Sequence, residues 1–199
     1  MSGLVTSSSS LKEFFRELLL EVTTRQRVAL GESTEFYLVN LLADFAASDK
    51  LFSRDAEGRR EHEPLAELYH RALQQERDER IRTLRRLGDV SLYKVGFFSG
   101  ALQQGMVGPD YYIQMGGAAY GQVAELVPPS GFTGVYRELC DKFRALVEVL
   151  EEISARGLVS AGPAGALRVY ESWVRTGSDK LERVLVDAGW VPRKGPLAN

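Results

Sequence analysis

Few residues of this chain have the chemistry of a catalytic or metal-binding group. The 199 residues include two histidines, His62 and His70, and one cysteine, Cys140. His70 follows Glu67 at the Glu-x-x-His spacing that places two ligands on one side of a helix in di-metal bundles. Those sites need the motif twice and two more glutamates, and this sequence has no second Glu-x-x-His. We therefore predict no metal site. If the chain does bind a metal, Glu67 and His70 are the candidate ligands.

Nucleophilic catalysis has no better support in the sequence. A catalytic serine or cysteine needs a base beside it, and neither histidine belongs to a local motif of that kind. The chain contains no Gly-x-Ser-x-Gly motif and no P-loop. Cys140 falls on the apolar face of a predicted helix, where an inert buried thiol is commoner than a nucleophile. These observations favour a protein that is not an enzyme.

The most unusual stretch runs from Val90 to Leu126. It carries three charged residues and seven glycines in 37 residues, together with six tyrosines and phenylalanines. Glycines one helical turn apart remove side-chain bulk from a helix face, so a second helix or a flat ligand can approach closely. If this stretch holds a ligand pocket, the candidate residues are Tyr93, Gly96, Phe98, Gly100, Tyr112, Met115, Gly116, Gly117 and Tyr120.

Three interpretations of the stretch stay open: close helix packing without a ligand, a small-molecule pocket between helices, and an interface for self-association. The segment from Tyr93 to Gly100 resembles the glycine-containing helix that lies over haem in haem-degrading helical enzymes. That resemblance implies a haem cofactor with an axial histidine near the start of the chain. Residues 1 to 61 contain no histidine, so His70 would have to serve, and we do not assign the chain to that family.

The composition of the chain indicates which kinds of partner and which cellular compartment to expect. The formal net charge is -2, with 25 basic and 27 acidic residues, so no general attraction to nucleic acid is expected. The longest charge-free runs are 15 and 14 residues, shorter than the roughly 20 that span a bilayer. A single cysteine and a start without the features of a secretion signal predict a cytoplasmic protein.

The elements that position these residues are predicted to be helices, because apolar residues recur at three- and four-residue spacing and no segment alternates like a strand. We predict a single all-α domain over residues 10–190, with a disordered N-terminal tail (1–9) and a C-terminal tail (191–199). The bundle has about six or seven helices. Its Gly-rich central pair lies within 90–126 and is joined at Gly108-Pro109. The predicted helix starts are Ser10, Ser33 or Thr34, Pro64, Val90, Pro109, Thr133 and Pro163. The segment 176–178 either interrupts the last of these helices or caps a further one.

The predicted helix from Pro64 to Leu87 carries a face of mixed charge. Such a face is usually solvated, but Arg82, Arg85 and Arg86 are close enough in sequence to form a basic docking patch. The sequence as a whole favours a non-enzymatic regulatory or protein-interaction domain that binds a protein partner or itself. The alternative is a helical protein, or an enzyme, that binds a small molecule such as haem at the Gly-rich pair.

Overall fold

Helices make up nearly all of the regular structure. The computed structural model describes residues 3–47, 53–54, 60–61, 64–103, 107–129 and 131–193. Within these ranges there are nine helices: α1 (Gly3–Gln26), α2 (Glu32–Ala47), α3 (Leu65–Gln74), α4 (Arg77–Leu102), α5 (Pro109–Leu126), α6 (Gly131–Asp141), α7 (Phe143–Ser160), α8 (Pro163–Thr176) and α9 (Asp179–Asp187). Two antiparallel two-residue strands, β1 (Ser53–Arg54) and β2 (Arg60–Glu61), pair Ser53 with Glu61. The predicted single all-α domain is confirmed, and its helix number was underestimated.

The Gly-rich pair is central, as predicted. Helices α4 and α5 have the most extensive contact in the fold, and α6 and α7 pack against them. Gly88 of α4 lies under the ring of Tyr120, where an added Cβ would stand 2.6 Å from the ring. An added Cβ on Gly116 of α5 would overlap Phe143 of α7 and stand 2.7 Å from Cβ of Ser91. These glycines therefore make room for large side chains of neighbouring helices.

Two predicted boundaries around α4 were wrong. The helix predicted over Pro64–Leu87 is divided, because Gln75 and Glu76 have extended backbone angles between α3 and α4. The side chain of Gln75 accepts a 2.6 Å hydrogen bond from the Thr83 hydroxyl, which holds this turn against α4. The predicted break at Gly88-Asp89 does not occur, and α4 continues to Leu102. Packing of Gly88 on Tyr120 offsets the roughly 1 kcal/mol that a glycine costs inside a helix.

In the second half of the chain, the predicted extent of one helix was wrong and one predicted interruption was right. The single helix predicted from Thr133 to Gly157 is two helices, because Lys142 leaves helical geometry between α6 and α7, and α7 passes Gly157 to end at Ser160. The predicted interruption at 176–178 is confirmed. Gly177 has φ of 66°, the left-handed conformation that suits a glycine at the end of α8.

The remaining sequence expectations concern the termini and membranes. Ser10 lies inside α1 rather than at its start. The assignment of residues 1–9 and 191–199 as tails stays a prediction, and residues 1–2 and 194–199 lie outside the described part of the chain. No helix in the described ranges is long and apolar enough to span a membrane.

Replacing Gly116 by Ala is expected to destabilise the fold, because the new Cβ would collide with Phe143 and Ser91. Overpacking of this kind typically costs about 1–3 kcal/mol, which exceeds the roughly 1 kcal/mol that Ala gains over Gly in a helix. Chemical denaturation should show a lower free energy of unfolding for Gly116→Ala.

Gly117→Ala is the matched control, because its Cβ would lie 3.7 Å from Cβ of Phe143, an ordinary contact distance. This variant should be neutral or should gain up to about 1 kcal/mol from helix propensity. Equal losses in the two variants would contradict the packing described for Gly116.

Candidate functional site

The predicted pocket residues lie in different surroundings. Gly96, Phe98 and Gly100 line a cavity between the end of α4 and helices α7 and α8. Tyr93 is buried, and its ring stacks between those of Phe45 and Phe97 at centroid distances of 4.8 and 4.5 Å.

None of the five candidates on α5, Tyr120 included, lines that cavity. Phe143 and Ser91 occupy the space beside Gly116, and Gly117 lies beside Phe143. Tyr112 and Met115 are half-buried, and the Lys94 ammonium lies 6.0 Å from the Tyr112 ring centroid. A pocket formed by all nine candidates together stays a prediction.

The residues with metal or nucleophile chemistry lie on separate elements. Glu67 and His70 are exposed on α3, where Nε2 of His70 is 3.0 Å from the Gln74 side-chain nitrogen. His62 lies outside the described residues. No group of three or more His, Cys, Asp or Glu within the described part could hold a metal ion. Burial raises the pKa of the Cys140 thiol. Its Sγ packs against Gly121 of α5 and lies 3.2 Å from the position that an added Cβ on this glycine would occupy.

The most distinctive polar cluster is centred on Asp89 of α4. Its Oδ1 accepts hydrogen bonds from the hydroxyls of Tyr37 on α2, at 2.5 Å, and Tyr120 on α5, at 2.7 Å. Burial raises the pKa of Asp89, although both hydrogen bonds and the charges of Arg85 and Arg86 act in the opposite direction. Three helices thus meet at one carboxylate, whose side chain is 16% exposed.

Arg85 covers this cluster from the solvent side. Its Nε donates to the Tyr37 hydroxyl at 3.2 Å and lies 3.7 Å from Oδ2 of Asp89. The guanidinium carbon also lies 5.3 Å from the centroid of the Tyr37 ring, within the range of a cation–π contact. Burial, reinforced by Asp89, raises the pKa of Tyr37, so its hydroxyl remains a donor. The cluster therefore holds Arg85 in one orientation.

A groove of about 490 Å³ opens above the cluster, between α2, α4 and α6. We call it the arginine–aromatic groove. The side chains that define it are Phe36 and Tyr37 of α2, Arg82, Arg85, Arg86 and Asp89 of α4, and Phe132 and Tyr136 of α6. Asp44 of α2 also lines it. Phe36 is 72% exposed and Phe132 is 66% exposed, so two aromatic rings face solvent beside a row of arginines.

The helical register of α4 explains this row. Arg85, Arg86 and Asp89 lie three, four and seven residues after Arg82, which places all four on one face of a helix. The sequence singled out the three arginines but assigned Asp89 to a chain break. A signal was present, because Asp89 is the sole acidic residue between Glu79 and Asp110, in a segment that becomes apolar. Phe36 belongs to a helix with the apolar pattern of a buried one, and the structure shows that Phe36 and Phe132 are exposed.

Comparisons of this chain with protein families, with curated proteins and with solved structures find no match. We therefore infer function from the side chains of the chain itself.

Asp89→Leu should destabilise the protein strongly, because it leaves the buried hydroxyls of Tyr37 and Tyr120 without their acceptor. Each orphaned group costs about 1–3 kcal/mol. Asp89→Asn is the matched control, since its amide oxygen still accepts from both tyrosines, and it should lose less. Denaturant titration measures both. A Leu variant as stable as the Asn variant would contradict the role assigned to Asp89.

The raised pKa of Asp89 also predicts a pH dependence. A carboxyl group whose pKa is higher in the folded than in the unfolded state binds its proton more tightly when folded, so its contribution to stability increases as pH falls towards the unfolded value. That ordinary value is 3.8. Lowering the pH from 7 to 4 should therefore raise the free energy of unfolding of the wild type relative to that of Asp89→Asn. A constant difference, or a change of the opposite sign, would disagree with the raised pKa.

Proposed function

We propose that this protein is a non-enzymatic interaction domain, and that its arginine–aromatic groove binds an acidic segment of a partner protein that also carries a large apolar side chain. The observation that supports the proposal is the exposure of Phe36 and Phe132 beside Arg82, Arg85 and Arg86 in one groove. The helices of the described ranges supply the scaffold, and the groove supplies the recognition surface.

The apolar part of the proposal rests on the two phenylalanines. A large aromatic side chain that is mostly exposed loses much of the roughly 1.5–3 kcal/mol that burial of a large apolar side chain provides. Aromatic residues and arginine are also enriched at the centres of protein interfaces, where they carry most of the binding energy. An apolar side chain of the partner that packs on Phe36 and Phe132 would recover that burial.

The acidic part of the proposal rests on the charge balance of the groove. Arg85 is already held by Tyr37 and Asp89. Arg82 has a 4.0 Å ion pair with Glu79, in which both side chains are well exposed, and a pair of that kind contributes about 0–1 kcal/mol. Arg86 forms no salt bridge within the described residues. Two guanidinium groups are therefore available for carboxylates, which they can bind through paired hydrogen bonds.

The same balance disfavours nucleic acid as the partner. The chain has a formal net charge of -2, and Asp44 and Asp89 line the groove together with its arginines. Binding to a phosphate backbone draws on several cations spread along a surface, whereas these arginines form one short row. A short acidic segment suits a row of this length.

A selection from a random peptide library, displayed against the purified full chain, tests the proposal. We expect the enriched peptides to combine Asp or Glu with Phe, Leu or Trp. A synthetic peptide of the enriched sequence should bind Phe132→Ala and Arg86→Gln at least about tenfold more weakly than wild type, which corresponds to about 1.4 kcal/mol. Fluorescence anisotropy of the labelled peptide measures both losses.

Leu167→Ala and Arg183→Gln are the matched controls, because both residues are exposed on α8 and α9, and neither lines the groove. They should bind the peptide as wild type does. Enrichment of basic peptides, no enrichment at all, or equal losses in the control variants would refute the proposal. Mass measurement across a concentration series shows whether a second copy of this chain, rather than another protein, occupies the groove.

A further inference from the structure

A second cavity lies at the opposite end of α4 from the arginine row. It has a volume of about 560 Å³, within the usual range for small-molecule sites. Its walls come from the end of α4, from α7 and α8, and from the start of α9. Helix α4 departs from helical geometry at Phe98, with φ of -129° and ψ of 23°. Phe98 lines the cavity and is 46% exposed.

Within the described residues, two of the cations that line this cavity form no salt bridge, and of its two glutamates Glu152 is the one neutralised by arginines. Glu152 is buried and pairs with Arg25 and Arg156. Lys180 pairs with Glu148. Burial raises the pKa of Glu151, opposed by a hydrogen bond from Ser99 and by the charge of Lys180.

Arg168 and Arg175 of α8 are the cations without a partner, since neither forms a salt bridge within the described ranges. Arg175 reaches across to α4, where a Cβ on Gly100 would stand 3.1 Å from its Nη2. The absence of a side chain on Gly100 therefore gives the guanidinium its place at the cavity wall.

Hydroxyl groups stand beside these arginines. Ser172 lies one helical turn from Arg168 on α8, and Ser178 precedes the first turn of α9. Neither hydroxyl makes a hydrogen bond to another described residue, and the Ser178 side chain does not cap α9. Two guanidinium groups and two free hydroxyls offer more donors than the two oxygens of a carboxylate readily accept. A phosphate group, with three terminal oxygens and up to two charges, matches this set better.

We infer that this cavity binds a small phosphomonoester. The phosphate meets Arg168 and Arg175, and the hydroxyls of Ser172 and Ser178 donate to its oxygens. The organic part packs on Phe98 and Leu158, which supply apolar surface in the same cavity. This site is separate from the arginine–aromatic groove and does not depend on the partner proposed for it.

Amide chemical shifts of the full chain, followed by NMR at constant ionic strength, test the inference with two probes. Inorganic phosphate and phenyl phosphate should both shift amides of Gly100, Ser172 and Arg175. Phenyl phosphate should bind more tightly, because only it has an apolar part. Arg175→Gln should weaken its binding at least tenfold, and Ser172→Ala should weaken it less.

Arg183→Gln on α9 is the matched control and should bind phenyl phosphate as wild type does. Arg175 and Arg183 are both exposed, so loss of folding is not expected in either variant. The inference is overturned if the two phosphates shift these amides no more than chloride at equal ionic strength. It is also overturned if Arg175→Gln binds as wild type does, or if the shifts cluster around Arg82, Arg85 and Arg86 instead.

Discussion

The hydrogen bonds to Asp89 tie the middle of this fold together. One carboxylate on α4 accepts from a tyrosine of α2 and a tyrosine of α5, and it is capped by an arginine of its own helix. Removing a carboxylate from water is costly, and partners repay that cost only when the geometry is good. The hydroxyls of Tyr37 and Tyr120 can both donate to Asp89 only when α2 and α5 are correctly placed along α4. That requirement fixes the relative positions of three helices and, with them, the α2 and α4 walls of the arginine–aromatic groove.

Glycine packing is the second constraint, and it depends on the first. The ring of Tyr120 reaches Asp89 by lying across Gly88, the preceding residue on α4. Any side chain at position 88 would move that ring and break the hydrogen bond of its hydroxyl. One turn earlier on the same face of α5, Gly116 admits Phe143, whose ring centroid lies 5.9 Å from that of Tyr120. The glycines of the central pair thus position aromatic side chains, and those side chains position the buried charge.

Periodicity in the sequence predicted the class of fold and its central pair, because both follow from apolar spacing and a local excess of glycine. It failed at Gln75-Glu76, Gly88-Asp89 and Lys142, where tertiary contacts decide whether a helix continues. Gln75 ends a helix with the help of Thr83, and Gly88 remains helical because Tyr120 packs on it. The three arginines of the groove were visible as a cluster. Their aromatic neighbours come from α2 and α6, about 50 residues away in each direction, and no local pattern links them.

The two candidate sites differ because the composition of α4 changes along its length. Its first half is charged, and Arg85 there contacts Tyr37 of the Asp89 cluster. Its second half carries a single charged residue, Lys94, and Gly96 and Gly100 let Leu150 and Arg175 of neighbouring helices come close. Beneath that half, Glu152 of α7 gathers Arg25 of α1 and Arg156, which also pairs with Asp187 of α9. This network links α1, α7 and α9, so the floor of the second cavity is held by charge in the way that the groove is held by Asp89. Each site thus has behind it a carboxylate that hydrogen bonds or ion pairs hold in place, and Arg82, Arg168 and Arg175 are exposed beside these sites.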